Sequence, residues 1–437
     1  MFTYDQAINY LEQCVNFERM LHKASASDFS LDNIQKVLQV LGNPQDTFKS
    51  IHIAGTKGKG STAAIIASIL RAAGFKVGLY TSPHILDIRE RIFIDDRIGK
   101  DDFARIISKI KDNIEQALLD QLTYFEWLTV IAFMYFAEQK VDWAVLETGL
   151  GGRLDATNVV DSFASVITPI GLEHTKILGE TIAAIASEKA AIIKSMNKFT
   201  VIAKQYPEAE EIINKRIAAE QVKNIFRVGK DAIVKECKIY SSGQNIDIAL
   251  RDKEFDDLKL SLFGECQAEN LVAALCVVEG LRHEGFKISD EAVYQGAYNV
   301  HWSARFEIVG GRQTFVLDCC HTQESVNEFV KTWAQVFPNK KPVIILGLAS
   351  DKNRQAICEC LQKIAREVVA VTGFHDRAYA FTKEELKECF KTIPVSCFKN
   401  ADDALNYVQV RKDVELVVVV GSVYLIGKLY ESIKSNR

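Results

Sequence analysis

The sequence predicts an α/β protein of two domains, and three observations carry that expectation. Short apolar runs alternate with amphipathic helical patterns along most of the chain. A glycine-rich turn over 55–60 joins one such run to an alanine-rich helical pattern. The alternation starts afresh from residue 299, giving expected domains at 1–298 and 299–437. Strands that alternate with helices imply parallel sheets covered on both faces, because each return to the same sheet edge needs a crossover helix.

Taken in order, amphipathic spacing predicts helices over 4–22 and 31–41, ahead of a first strand at 50–54. A second short apolar run at 77–80 precedes expected helices over 102–120 and 124–139. The run 143–147 reads as a buried strand and opens into Thr148, Gly149, Leu150, Gly151 and Gly152. Further strands are expected at 165–168 and 200–203, and the shorter alternation over 227–262 suits antiparallel strands. A helix over 270–283 leads to a boundary near 298–303. The second α/β unit carries strands at 314–317, 343–346, 367–371 and 416–420. There is no internal repeat and no low-complexity segment.

Composition excludes several classes of partner. A chain of 437 residues buries sizeable cores without help from disulfides. With 25% charged residues, a net charge of −4 and no basic stripe interleaved with aromatics, nucleic acid is not an expected partner. Apolar runs such as 416–421 are strand-length, and residues 1–6 lack the parts of a secretory leader. A soluble, cytoplasmic protein without a membrane partner is therefore expected. Ten cysteines are scattered without zinc-type spacing and read as reduced thiols.

The turn made of Gly55, Thr56, Lys57, Gly58, Lys59, Gly60 and Ser61 has the makings of a phosphate cradle. Glycines let backbone N–H groups turn toward an anion, Lys59 adds a point charge, and the following helix offers its positive end. A nucleoside triphosphate suits it. The spelling departs from the common Gly-x-x-x-x-Gly-Lys-Ser/Thr loop, since Gly60 follows the lysine and Ile53 stands where the first glycine belongs. The fold class is thus α/β, a P-loop parallel-sheet N-terminal domain with a smaller α/β C-terminal domain.

Other motifs follow in a fixed order. They are Thr81-Ser82-Pro83-His84, Arg89-Glu90-Arg91, Thr123-Tyr124-Phe125-Glu126, the Glu147 to Asn158 stretch with its three glycines and Asp155, and Gly171-Leu172-Glu173-His174. After these come Glu188-Lys189, Gln267 and Asn270, Arg305-Phe306-Glu307, Asp318 with His321 and Thr322, and Asp351-Lys352. In this order they resemble the folylpolyglutamate synthase and dihydrofolate synthase family of the Mur ligase superfamily, over residues 4–427.

The resemblance implies an ATP-dependent ligase that joins L-glutamate to dihydropteroate or reduced folates. A substrate carboxylate attacks the γ-phosphate of ATP, and the glutamate amine then displaces phosphate from the acyl phosphate. Such phosphoryl transfer depends on positioning and charge neutralisation. The resemblance further implies Mg²⁺ held by Ser82, Glu147 and His174, and a carbamylated Lys189 whose new carboxylate supports a second Mg²⁺. Lys59, Glu147, His174 and Lys189 are thereby the expected catalytic set. Taken alone, Glu147 reads equally as a helix cap or ion-pair partner, His174 as an ordinary histidine and Lys189 as a solvated lysine. A histidine ligand for Mg²⁺ rests on the resemblance rather than on hard-cation preference.

On the substrate side the resemblance points to Thr123, Tyr124, Phe125 and Glu126, and to Leu154, Asp155 and Ala156. A flat pterin with an amino-pyrimidine edge suits an aromatic face and a carboxylate, although Phe125 within a helical pattern also reads as core. Expected nucleotide contacts are residues 55–61, Gln267, Asn270, Arg305, Asp318 and His321, with ATP at an interdomain cleft and the enzyme a monomer. Departures from the family pattern gather late in the chain. Ser303-Ala304 stands in place of Pro-Gly before Arg305, Cys319 and Thr322 replace glycine and asparagine around His321, and Cys266 replaces histidine before Gln267. Two alternatives remain, a UDP-muramoyl amino-acid ligase and a non-catalytic nucleotide-binding regulator.

Overall fold

The computed structural model describes residues 1–20, 24–240, 242–251 and 253–435. The chain divides into two compact units. The first comprises Met1–Glu236, Asp247–Leu258 and Glu269–Val300, and the second Cys237–Ile246, Lys259–Ala268 and His301–Arg437. This division differs from the linear cut expected between 298 and 299 at two segments, 237–246 and 259–268, which group with the C-terminal residues. The first takes in the end of β8 (Ala232–Tyr240) and the start of β9 (Gly243–Leu250), and the second runs from the end of β10 (Lys253–Leu260) into the helix Glu265–His283; β8, β9 and β10 form a three-stranded sheet whose strands each run from one unit into the other. Sequence order alone cannot reveal such a crossing.

The first unit is built on seven strands, β1 (Lys49–Ala54), β2 (Val77–Tyr80), β3 (Ile92–Phe93), β4 (Trp143–Glu147), β5 (Ala164–Ile167), β6 (Phe199–Ile202) and β7 (Asn224–Arg227). They lie in the order β3-β2-β4-β1-β5-β6-β7, and only the β2–β3 pair is antiparallel. Strand β1 is central, with Ile53 opposite Glu147 of β4 and Ala54 opposite Ile167 of β5. The chain leaves β1 toward one side of the sheet and later crosses to the other. Open α/β sheets place their ligand crevice at the carboxyl ends of strands around such a reversal.

Two helices of this unit are apolar almost all round, as expected of elements buried in a large core rather than lying on its surface. In Lys59–Ala72 every residue from Ser61 to Leu70 is buried, and in Tyr124–Glu138 so are Trp127, Ile131 and Phe133. The helix Asp290–Asn299 crosses Lys59–Ala72 closely enough for the Ser68 hydroxyl to donate to the Gly296 carbonyl at 2.7 Å.

Two expected helices are broken. Residues 4–22 form Tyr4–Glu12 and Phe17–Met20, with 21 and 22 outside the described residues. Residues 102–120 form Lys100–Asn113 and Gln116–Leu119, because Ile114 and Glu115 take extended backbone angles.

The second unit has a six-stranded sheet, β11 (Glu307–Val309), β12 (Thr314–Asp318), β13 (Val343–Leu346), β14 (Glu367–Val371), β15 (Val395–Phe398) and β16 (Leu416–Val420). Its order is β11-β12-β16-β13-β14-β15, parallel except for the β11–β12 hairpin. Its core gathers Phe306, Phe329, Trp333, Ile344, Leu346 and Val418. No helix among the described residues is long and apolar enough to cross a membrane. All ten cysteines are free.

Candidate active site

The glycine-rich turn leaves the carboxyl end of β1 and enters the helix Lys59–Ala72 through Gly58, which sits at φ +83°. An L side chain there would be strained and would also run into Asn270 Oδ1, so the structure brings Asn270 onto the turn. No side chain caps the helix, a feature that leaves its first-turn N–H groups to an anion. Lys59 is the first helical residue and half-buried, whereas Lys57 is exposed. The turn is fastened to the segment after β5. The N–H groups of Thr56 and Lys57 donate to the Pro169 carbonyl at 3.0 and 3.2 Å, and the Thr56 hydroxyl exchanges bonds with the backbone of Gly171.

Beneath the turn lies Lys189, near the end of the helix Ile182–Ala190. Its side chain is 2% exposed and its Nζ donates to the Gly55 carbonyl at 2.6 Å. Burial, with the nearby Lys59 charge, pushes its pKa down to about 7. A solvated helix lysine would show none of this. Glu147, the last residue of β4, is 5% exposed, and one of its oxygens accepts the Ser82 N–H at 3.1 Å. Glu147 and Ser82 are thus in contact. His174 heads the short helix Thr175–Leu178 at φ +50°, with Nε2 at 3.9 Å from Glu173 Oε1.

Oxygen donors at Ser82 and Glu147 fit a hard cation such as Mg²⁺. Among the described residues no three His, Cys, Asp or Glu side chains form a preformed cage. Mg²⁺ does not require one, because it keeps waters and shares phosphate oxygens.

The substrate-side expectations divide. Thr123 and Glu126 form a reciprocal capping box at the start of Tyr124–Glu138, with the Thr123 N–H on Glu126 Oε2 at 2.8 Å and the Glu126 N–H on Thr123 Oγ1 at 3.3 Å. Tyr124 is buried, with the Arg91 guanidinium 5.8 Å from its ring centre. Phe125 is partly buried and its ring lies directly over Gly149, beside Tyr80 at 5.8 Å between centroids.

Leu154 is half-buried and Ala156 buried. Asp155 is 4% exposed and its carboxylate is engaged within its own loop. It accepts the Leu150 N–H at 2.8 Å, the Thr157 N–H at 3.1 Å and the Thr157 hydroxyl at 2.5 Å. The expectation of a pterin acceptor meets this obstacle: a pterin edge would have to compete with three internal donors.

In the second unit Asp318 ends β12. Its carboxylate receives the Phe306 N–H at 2.7 Å and the Cys320 N–H at 2.8 Å, which bridges the altered turn around Arg305 to the altered Cys319-Cys320 segment. The turn is held in a tight shape, since Ala304 and Phe306 both have positive φ, and the Cys319 N–H donates to the Ala304 carbonyl at 3.0 Å. His321 Nδ1 lies 2.8 Å from the Cys319 carbonyl. Arg305, Asp318 and His321 are thus assembled despite the departures in spelling. Burial pushes both the Cys319 and Cys320 thiols up, which suits packing groups rather than nucleophiles. Gln267 is buried in the first turn of Glu265–His283, on the second unit's side of the division.

Sequence reasoning passed over His52, a fully buried histidine within β1. Its signal was a lone imidazole amid the apolar residues of the strand that feeds the turn. In the sequence Arg91 shows only as one residue of the Arg89-Glu90-Arg91 motif. It is buried, paired bidentately with Glu18 at 2.6 and 2.7 Å, and donates from Nε to His84 Nδ1 at 2.9 Å.

The chain matches the Mur ligase middle domain over residues 53–278 and the Mur ligase glutamate ligase domain over residues 304–423. It is 34% identical over 420 residues to the dihydrofolate synthase/folylpolyglutamate synthase of Bacillus subtilis, covering 92% of this chain and 95% of that one. Its structure is similar to that of Mycobacterium tuberculosis folylpolyglutamate synthase complexed with ADP, with a TM-score of 0.87 at 30% identity over 99% and 98% of the two chains. A folylpolyglutamate synthase complex with AMPPCP and folate gives 0.83 at 28% identity, over 99% of this chain and 100% of that one. The class is that of the Mur ligases, ATP-dependent enzymes that form amide bonds. The chain belongs to their folylpolyglutamate synthase and dihydrofolate synthase family.

Proposed function

We propose that this chain joins L-glutamate to dihydropteroate, to reduced folates, or to both, with ATP as phosphoryl donor and Mg²⁺ as its cation. A substrate carboxylate oxygen attacks the γ-phosphorus, the bond to ADP breaks, and an acyl phosphate forms. The amine of glutamate then attacks the acyl carbon, loses a proton and expels phosphate, leaving an amide. The turn 55–61 and Asn270 hold phosphate, and Lys59 offsets the charge that builds as the phosphoryl group moves. Ser82, Glu147 and His174 are the residues that would hold Mg²⁺, which supplies charge neutralisation on the phosphate oxygens when bound. Within the second unit, Arg305, Asp318 and His321, together with Gln267, are proposed nucleotide contacts.

The observation that carries this reading is Lys189 donating to Gly55 from a buried site with its pKa near 7. A neutral amine is the form that adds carbon dioxide, and the resulting carbamate keeps one N–H able to serve the Gly55 carbonyl. The new carboxylate would then lie close under the phosphate turn. Thr123, Phe125 and the loop carrying Leu154, Asp155 and Ala156 are proposed as the folate side, with Tyr124 and Glu126 acting through the capped helix start and Asp155 acting through the loop it organises. We also propose that the enzyme works as a cytoplasmic monomer, a state that light scattering checks. The test of function is ADP release with dihydropteroate, tetrahydrofolate or a UDP-muramoyl substrate, each with and without L-glutamate. Turnover that requires a pteroate or folate and glutamate supports the reading; turnover with the muramoyl substrate replaces it.

A further inference from the structure

His52 is 0% exposed, sits three residues before Gly55, and has Nε2 at 2.7 Å from Thr157 Oγ1. The Thr157 oxygen lies 2.5 Å from Asp155 Oδ1. Both Asp155 oxygens already receive backbone N–H groups, from Leu150 and from Thr157, so the threonine hydroxyl gives its single proton to the carboxylate. Thr157 Oγ1 must then accept from His52, which fixes the imidazole proton on Nε2. The other ring nitrogen, Nδ1, is buried without a hydrogen-bond partner. An unpaired buried acceptor is a cost that an aliphatic residue in β1 would avoid. What the imidazole contributes there is its Nε2 bond to Thr157.

The far side of the same loop touches the catalytic lysine. Gly152 is packed so closely on the Glu188 carbonyl and the Lys189 Cα that a Cβ would clash with both. The Arg153 N–H donates to the Glu188 carbonyl at 2.8 Å, and Arg153 Nε pairs with Glu188 Oε1 at 3.0 Å. A line of bonded groups therefore runs from the strand feeding the phosphate turn, through His52, Thr157 and Asp155, to the backbone that carries Lys189. We propose that His52 is a positioning residue, which through Thr157 and Asp155 holds the 149–157 loop against Lys189. The inference deepens the ligase reading and rests on it for the role of Lys189.

The test compares His52→Leu, His52→Gln and Thr157→Val in the full chain. Glutamine can present an amide N–H from about the place of Nε2, whereas leucine and valine cannot continue the line. Hydrogen exchange at the Leu150 and Thr157 amides reads the relay without reference to activity. The expected result is about tenfold faster exchange in His52→Leu and Thr157→Val, the scale of one lost buried hydrogen bond, and near-parental protection in His52→Gln. In steady-state kinetics kcat should fall about tenfold in the leucine and valine variants, KM for ATP should stay within about twofold, and glutamine should restore most of kcat. Unchanged loop protection in a folded His52→Leu protein overturns the proposal, as does a His52→Gln variant as impaired as His52→Leu. If the parent shows no folate- and glutamate-dependent turnover, the ligase reading fails, and the exchange data still decide whether the relay exists.

Discussion

Replacing Lys189 by methionine removes a buried amine while keeping an unbranched side chain of similar reach. The unsubstituted amine titrates near pH 7 in the folded protein, against 10.5 for an ordinary lysine. Between those values the unfolded chain binds a proton that the native state does not, so stability rises with pH across this window by about 1.4 kcal/mol per unit. The penalty is fully present below pH 7 and gone above 10.5; its ceiling is about 5 kcal/mol.

Lys189→Met should therefore be more stable than the bicarbonate-free parent at pH 6, with the difference shrinking toward pH 10. Urea unfolding at several pH values measures this. Bicarbonate should raise the midpoint of the parent and leave that of the methionine variant unchanged, because at pH 7.5 about three-quarters of such amines are neutral, against about one in a thousand for a free lysine. A ¹³C-bicarbonate NMR signal lost in the variant would identify the adduct. The same pH slope and the same indifference to bicarbonate in parent and variant would show that Lys189 neither titrates low nor takes up carbon dioxide.

Three further outcomes follow from the site. Lys59→Ala should keep the fold and lose most turnover, about a hundredfold or more, since a half-buried lysine on the turn adds little packing but meets developing phosphate charge; near-parental kcat in the folded variant would remove that role. Glu147→Ala and His174→Ala should raise the Mg²⁺ concentration needed for half-maximal activity, with part of the loss recovered at high Mg²⁺, and magnesium titrations that superpose on the parent's would count against both ligands. Asp155→Ala strands the Leu150 and Thr157 N–H donors and should cost about 2 kcal/mol or more of stability, with similar losses of kcat/KM for dihydropteroate and tetrahydrofolate. A loss confined to dihydropteroate would instead indicate a direct pterin bond.

The strands that frame the site were legible because their chemistry is local. The run Trp143–Glu147 is apolar up to its last residue, and the structure buries all five positions. The turn at 55–61 announced itself by its glycines and lysines, and its helix by alanines. Elements that escaped notice lack such signals. Strand β3 has only two residues, and in β15 no residue is fully buried, so neither shows a core pattern.

Long-range placement accounts for the rest. Lys189 in an alanine-rich helix reads as solvated, and only the docking of residues 152–153 on its backbone, with Gly55 above, makes it a buried amine. Asp155 reads as a ligand group, yet its loop closes on it and uses both oxygens. Thr123 and Glu126 carried a capping-box spacing that a substrate role overshadowed.

Ligation is a covalent event, and the mass of the product reads it without an intermediary. Purified protein with ATP, Mg²⁺ and L-glutamate is offered dihydropteroate, tetrahydrofolate and a UDP-muramoyl substrate in parallel. The expected product is a pteroate or folate heavier by one glutamate residue, formed with one ADP per amide bond and only when glutamate is present. A glutamate-independent ATPase, or ligation confined to the muramoyl substrate, would contradict the proposed function.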